Sequence, residues 1–297
     1  MKSFTAYHIS KEHQDLTVEA YLKQVLNYSG RKIQKLTRQK GILLNTKTVF
    51  LQRKVKAGDV LRILVLEDSS YGVEPEPGSL EILYEDSSVI ILNKPPGLLV
   101  HPTSQTSKGT LSNYLAHYYQ QQGVICTIRP LHRLDRETSG CIVFAKDSHT
   151  QTLLEKSLKE GRLKRIYQAV VKGILEPPSG TINAPIGPHP SKPNRRAVNP
   201  QGEIAITHYK TLQRFPEASL VELDLETGRT HQIRVHLAHV GHPVIGDRMY
   251  GKGSAIIAGQ ALHASSLHFT HPLEAREISV AAPFPESFLQ VIESYYP

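Results

Sequence analysis

Leu131-His132-Arg133-Leu134-Asp135-Arg136-Glu137-Thr138-Ser139-Gly140 runs straight into the apolar segment Cys141-Ile142-Val143-Phe144-Ala145. A short apolar run bounded by Ser-Gly reads as a buried strand, so the polar decapeptide before it is a loop delivering one carboxylate among guanidiniums. Nearby cations favour the charged form of a carboxylate, and Asp135 is expected to be ionised and available as a nucleophile or base. The arginines suit an anionic, planar substrate, because guanidinium pairs with phosphate and stacks on flat rings. Local composition leaves a second reading open, a surface turn with ordinary ion pairs.

The chain around this stretch has 297 residues, enough for about two domains, and its 39% hydrophobic and 21% charged content is that of a globular protein. Two cysteines, Cys126 and Cys141, argue against a disulfide scaffold and fit a reducing compartment. No apolar run approaches a membrane span, and the start Met1-Lys2-Ser3-Phe4 lacks a hydrophobic signal region. A soluble, cytoplasmic protein is expected.

The net charge of +8 is unevenly placed. Residues 1–66 hold 13 Lys+Arg against 4 Asp+Glu, a net of +9, and the remainder is close to neutral. A concentrated basic module is the footprint of polyanion binding, usually nucleic acid. An anionic membrane surface is the rival, but no strongly amphipathic helix with aromatic anchors is present.

Periodicity predicts a helix over Asp15 to Leu26, with Leu16 and Ala20 on its buried side and Val18, Leu22, Val25 and Leu26 as further candidates. A second helix runs from about Arg31 to a C′ residue at Gly41, anchored by Ile33 and Leu36. It carries Arg31, Lys35 and Arg38 at helical spacing, with Lys32 and Lys40 beside them. Short strands follow at residues 42–44, 48–50 and 60–65, with a turn at Asn45-Thr46. This order resembles the S4 RNA-binding domain, on Ser29, Arg31, Gln34, Gly41, Leu44-Asn45 and the stretch 55–60, although Asn45-Thr46 stands where Asn-Gly is usual. The resemblance implies that Arg31, Lys32, Lys35 and Arg38 meet an RNA backbone. Such contacts give salt-dependent affinity with little sequence information. A solvated helix face is the plainer alternative.

An acidic Pro/Gly stretch at 67–79 reads as a linker, giving domains 1–66 and 80–297. Beyond it the pattern predicts strands at 89–93, 165–171 and 221–226 and a helix from Ser148 to Gly161. After Thr227-Gly228, a helix capped by Thr230 is expected, with Ile233, Leu237 and Val240 along one side. The predicted class is α+β, with a large mixed, mostly antiparallel sheet flanked by helices and loops, preceded by a small α/β domain.

Three stretches converge: 132–140, Lys164-Arg165-Ile166-Tyr167, and Thr227-Gly228-Arg229-Thr230-His231-Gln232-Ile233-Arg234-Val235-His236, the last continuing to Gly246-Asp247 and Tyr250-Gly251. With Asn93-Lys94-Pro95-Pro96-Gly97 and Val100-His101-Pro102, they resemble the catalytic domain of the RluA family of pseudouridine synthases from about Leu80 onward. The resemblance implies isomerisation of uridine within RNA. The C1′–N1 bond breaks, the base turns, and C5 bonds to C1′, with no cofactor or metal. Asp135 matches the catalytic aspartate; attack on the sugar, attack on the base and removal of a sugar proton all remain open. Arg133 matches the residue filling the space of the displaced base, which must leave its stack. Tyr167 matches a tyrosine against the target ring, Arg229 the basic partner of the aspartate, and Ile233 apolar packing around the base. Arg136 and His132 are candidate RNA contacts. The implied partner is ribosomal or transfer RNA, bound by a monomer with no obligatory protein partner.

Two other patterns carry less. His231, His236, His239 and His242 have no standard zinc spacing, and the phosphate-loop-like stretch 246–253 has Gly253 where Ser or Thr would hold magnesium. Ser139 lacks a nucleophile elbow. The competing readings are a non-catalytic RNA-binding or ribosome-assembly factor, disfavoured by intact Asp135, Tyr167 and Arg229, and a phosphate-loop hydrolase, which ATP binding would reveal.

Overall fold

Asp15 sets where the first helix can begin. In the computed structural model, which describes residues 3–66, 68–274 and 276–296, Asp15 has φ 66° and cannot lie inside a right-handed helix. Thr17 caps instead, its hydroxyl accepting from Ala20 N at 3.1 Å, and α1 (Val18–Ala20) continues as a π-helical turn over Tyr21–Val25. Ser29 caps α2 (Gly30–Arg38) by accepting from Lys32 N. The left-handed residue that ends α2 is Lys40, φ 53°, in place of the expected Gly41. Gly41 is needed for a different reason: a Cβ there would lie 2.7 Å from Leu64 Cβ.

Four strands complete this unit in the order β1 (Phe4–His8), β4 (Val60–Leu64), β2 (Ile42–Leu44), β3 (Lys47–Thr48), all antiparallel. Asn45 and Thr46 turn with φ 48° and 75°, and the Asn45 side chain bridges Asp59 and Val60 N at 2.8 Å each. Val18, Leu22, Ile33, Leu36, Leu61 and Ile63 form the core.

The chain divides into two compact units, Met1–Ser69 and Ser70–Pro297. Most of the expected linker packs on the second. Tyr71 and Val73 lie against its core, Asn113 Nδ2 donates to Glu74 O at 2.8 Å, and Gly109 N donates to the Glu76 carboxylate at 2.6 Å. Glu67 of that stretch is outside the described residues.

The second unit is built on one mixed sheet. Its strands are β5 (Glu81–Glu85), β6 (Val89–Lys94), β7 (Arg129–Pro130), β8 (Ser139–Ala145), β9 (Lys164–Lys172), β10 (Ser179–Asn183), β13 (Ile206–Arg214), β14 (Ala218–Leu225), β15 (Leu262–Thr270) and β16 (Glu277–Ala281). A separate hairpin pairs β11 (Ile186–Pro188) with β12 (Arg196–Val198). The sheet order is β10-β13-β14-β9-β15-β8-β6-β5, with β16 beside β15 and β7 beside β8. Four helices accompany it: α3 (Leu111–Gln121), α4 (Ser148–Lys159), α5 (Gln232–His239) and α6 (Glu286–Glu293).

Successive residues of a strand face opposite sides, and here both sides are covered. Ile90, Leu92, Ile142 and Phe144 share one core with Leu115 of α3, Leu237 of α5 and Phe288 of α6. Val89, Ile91, Cys141 and Val143 share another with Leu154 of α4. Residues 89–92 of β6 and 141–145 of β8 therefore read as unbroken apolar runs. Among the described strands, the one parallel pairing joins β8 to β15, Ser139 opposite His263 and Gly140 opposite Ala264. Gly140 has φ 106°, and a Cβ there would sit 2.2 Å from Ala264 O, so glycine closes this seam directly behind the Asp135 loop. Among the described residues no helix is long and apolar enough to cross a membrane.

Candidate active site

The loop between β7 and β8 is shaped from inside. Leu131 and Leu134 are buried, and Thr138 N donates to Asp135 O at 3.1 Å. That leaves Arg133 and Arg136 exposed and Asp135 half-buried. Lys94, at the end of β6 and fully buried, grips the loop from below. Its ammonium donates to the carbonyls of Pro95, Leu98 and Arg136 at 2.8, 2.8 and 2.9 Å. Burial lowers its pKa to about 7, against the pull of Glu137 and Asp135. Lysine in the Asn93-Lys94-Pro95-Pro96-Gly97 turn thus joins that turn to the carboxylate loop.

The charged partner of Asp135 is Arg234, not Arg229. Arg234 Nη1 donates to Asp135 Oδ2 at 2.8 Å, while its Nε and Nη2 donate to Asp247 Oδ2 and Oδ1 at 2.7 and 2.9 Å. Asp247 is buried and also accepts from the backbone of Met249 and Tyr250 at 2.9 and 3.2 Å. Burial opposes its charge, but Arg234 and these amides hold its carboxyl below the ordinary range. Arg229 lies in the turn before α5, where its backbone N–H donates to Gln232 Oε1 at 2.9 Å. Its guanidinium points away, to the Glu203 carboxylate and, at 3.0 Å, to Ile204 O.

This turn also differs from the expected cap. His231, at φ 60°, precedes α5, and the Gln232 carboxamide bridges the turn to Ile206 O and Thr207 Oγ1 at 3.0 Å each. Six consecutive residues, Gln232 to Leu237, are buried, so α5 has no solvent stripe and Val240 lies outside the core at 41% exposure.

Tyr167 and Ile233 share the core cluster that includes Leu134. Burial raises the Tyr167 phenol above its ordinary range; the Arg165 charge opposes this and the Asp135 charge adds to it. Tyr167 of β9 and Ile233 of α5 are thus buried in the core that also holds Leu134 of the Asp135 loop. The structure does not bring His132 to the surface. That ring is 8% exposed, both its nitrogens lack a hydrogen bond, and burial together with the Arg165 charge pushes its pKa down to about 3. His132 is a core side chain, packed where it cannot meet RNA. Arg165, also buried, donates to Thr227 O at 3.4 Å and lies 3.1 Å from the Cβ position of Gly228, beneath the turn.

The remaining histidines have separate partners. His236 bonds Thr207 Oγ1 and Ala184 O at 2.9 Å each, and His242 bonds Lys172 O at 2.8 Å. Ser139 Oγ is 2.8 Å from His263 Nδ1, but both residues are sealed in the core and offer no route to a substrate. In the first unit, Arg31, Lys35 and Arg38 line one shallow groove with Gln34 and Gln39, whereas Lys32 Nζ lies 3.8 Å over the Tyr28 ring.

Sequence reasoning missed Arg234, Asp247 and Lys94. A signal for Arg234 existed: it is the one guanidinium inside the run Gln232-Ile233-Arg234-Val235-His236-Leu237, and a cation on a buried helix requires a buried acid.

Residues 88–239, from β6 through α5, match the RNA pseudouridylate synthase family. The chain belongs to that family. This synthase is 44% identical over 277 residues to the uncharacterized RNA pseudouridine synthase YhcT of Bacillus subtilis, covering 93% of this chain and 92% of the relative. It is 37% identical over 290 residues to ribosomal large subunit pseudouridine synthase D of Escherichia coli, covering 93% and 89%. Among solved structures, human RNA pseudouridylate synthase domain containing 1 aligns with a TM-score of 0.58 at 27% identity, over 71% of this chain and 86% of that one. The synthase is an isomerase converting uridine in RNA to pseudouridine, and its mixed α+β sheet is the fold of these enzymes.

Proposed function

We propose that this synthase isomerises specific uridines of structured RNA, ribosomal RNA foremost, with Asp135 as the reacting carboxylate. The reaction breaks C1′–N1 and makes C1′–C5, while C5 loses a proton and N1 gains one, so no redox partner is required. The observation that carries this reading is the chain Asp135–Arg234–Asp247. It fixes one oxygen of a half-buried carboxylate at 2.8 Å from a buried cation, and the other oxygen lies 3.9 Å from His231 Nε2. A carboxylate held in this way is oriented before substrate arrives.

Tyr167 and Ile233 are each 5% exposed, so they meet the target ring only through the edges left open, as flat and apolar packing behind it. Arg133, exposed on the same loop, suits the space left by a base that has turned out of its stack, and Arg136 suits a backbone phosphate. The first unit, S4-like in element order, adds affinity through Arg31, Lys35 and Arg38. Ribosomal RNA is favoured by the likeness to a relative named for the large ribosomal subunit.

The test is pseudouridine formation by the wild type and by Asp135→Asn, together with pseudouridine mapping in cellular RNA with and without the gene. Loss of product with RNA affinity kept within about threefold is expected, since one neutralised side chain leaves the phosphate contacts intact. Turnover by Asp135→Asn comparable to wild type would overturn the assignment. A lost site in transfer RNA would move the substrate but not the chemistry.

A further inference from the structure

Asp135 has a second neighbour on its open side. His231 Nε2 faces Asp135 Oδ1 at 3.9 Å, and the two side chains are 15% and 26% exposed. His231 holds a left-handed φ of 60°, which turns the chain directly before α5.

Its hydrogen can be placed from its neighbours. The backbone N–H of Arg196 donates to the Tyr250 hydroxyl oxygen at 2.9 Å, and that oxygen is 2.8 Å from His231 Nδ1. An amide only donates. With Nδ1 accepting the hydroxyl hydrogen of Tyr250, Nε2 carries the imidazole hydrogen, and this is the tautomer assigned to His231. Burial lowers the His231 pKa, against the pull of Asp135, and favours the neutral ring. The T-shaped packing of the ring on Tyr250, 5.7 Å between centroids, holds its orientation.

A donor and an acceptor therefore face one another across 3.9 Å, too far for a direct hydrogen bond. One oxygen about 2.8 Å from each would satisfy both. It must donate to Oδ1 and accept from Nε2–H at once. Uracil carbonyls only accept, and uracil N3–H only donates. In an internal nucleotide, whose 3′ and 5′ oxygens are esterified, the ribose 2′-hydroxyl alone does both.

We propose that His231 and Asp135 together hold the 2′-hydroxyl of the target uridine, making His231 a specificity-determining residue that distinguishes ribose from deoxyribose at the reacting nucleotide. This rests on the activity assigned above. It also positions Asp135 beside C2′ and C1′ through the substrate's own sugar.

The experiment uses the full chain and two short RNAs carrying a mapped target site, identical except for uridine or 2′-deoxyuridine at that nucleotide. Single-turnover rate and equilibrium affinity are both measured, so a deoxy substrate too slow to time still gives an answer. The wild type should prefer the ribose form by about a hundredfold, the factor for two lost hydrogen bonds. His231→Ala should reduce that preference by about tenfold, the contact with Asp135 remaining. His231→Gln, whose carboxamide nitrogen reaches toward the Nε2 position, should restore most of it. His231→Asn, which tolerates the left-handed backbone but is too short, should behave like alanine and serves if His231→Ala does not fold. An unchanged ribose preference in the folded Ala and Asn variants, in both readouts, would overturn the proposal. Failure of the wild type to modify the ribose RNA would instead overturn the assigned activity, while the affinity ratio would still report on His231.

Discussion

Arg234 gives two guanidinium nitrogens to Asp247 and the third to Asp135, so a buried carboxylate sets the direction of a half-buried one. Bidentate pairing fixes the guanidinium plane, which a lysine at the same position could not reproduce.

Arg234→Lys should therefore lower the single-turnover rate by at least about a hundredfold, because one ammonium cannot hold both acids at once. Asp247→Ala should destabilise the fold by about 3–5 kcal/mol in denaturant titration, as it strands a buried cation. Arg229→Ala, which breaks a surface pair with Glu203, should change stability by at most about 1 kcal/mol and rate by less than tenfold. A larger rate loss for Arg229→Ala than for Arg234→Lys would return Arg229 to the site.

His132 predicts an acid sensitivity. Its pKa is depressed from 6.5 to about 3 in the folded chain, so below pH 6.5 the unfolded chain takes a proton that the folded chain refuses. The wild type should lose stability as pH falls from 6.5 toward 3, by up to about 1.4 kcal/mol per pH unit from this residue. His132→Phe lacks that loss. Denaturant titrations should show the variant gaining on wild type as pH drops, with RNA affinity unchanged. Parallel pH profiles would sink the account, and weakened RNA binding would restore His132 as a contact.

The groove of α2 predicts a salt signature. Replacing Arg31, Lys35 and Arg38 together with glutamine should weaken RNA binding and make the slope of log K against log salt shallower by about 2–3. Lys32→Gln alone should change the slope by less than about 1, since its ammonium lies over Tyr28. Identical slopes for wild type and the triple variant would remove the first unit as the phosphate anchor.

Gly140→Ala tests the parallel seam. A methyl there would meet Ala264 O at 2.2 Å, at a φ that alanine disfavours. Expression as insoluble protein, or a loss above about 3 kcal/mol in denaturant, is expected. A variant as stable as wild type would mean that β8 and β15 separate without penalty.

Much of this was legible from the residues because each central strand is covered on both faces. Ile90 and Val89 enter different cores, as do Ile142 and Cys141, so residues 89–92 and 141–145 carry no polar position to blur the reading. The Asp135 loop was legible because its polar run ends abruptly at β8. The partner of Asp135 was not, because α5 is buried all round and its spacing singles out no inward residue. Arg229 follows a Gly in a turn and reads as the reaching residue, yet Gln232 ties that turn back to the strand and leaves Arg234 on the inner side. The helix at Asp15 failed for a local reason, a left-handed residue that apolar spacing cannot register.

Lys94 holds three carbonyls belonging to both the Pro95-Pro96-Gly97 turn and the Asp135 loop, while Arg234 braces the carboxylate from the side. A loop pinned from two directions has little room to fold over an incoming strand. The distortion needed for reaction then falls on the RNA, and nucleotides already loosely stacked should be the easiest to accept. Choice of site becomes a question of how readily each RNA yields, put to it by a protein that does not.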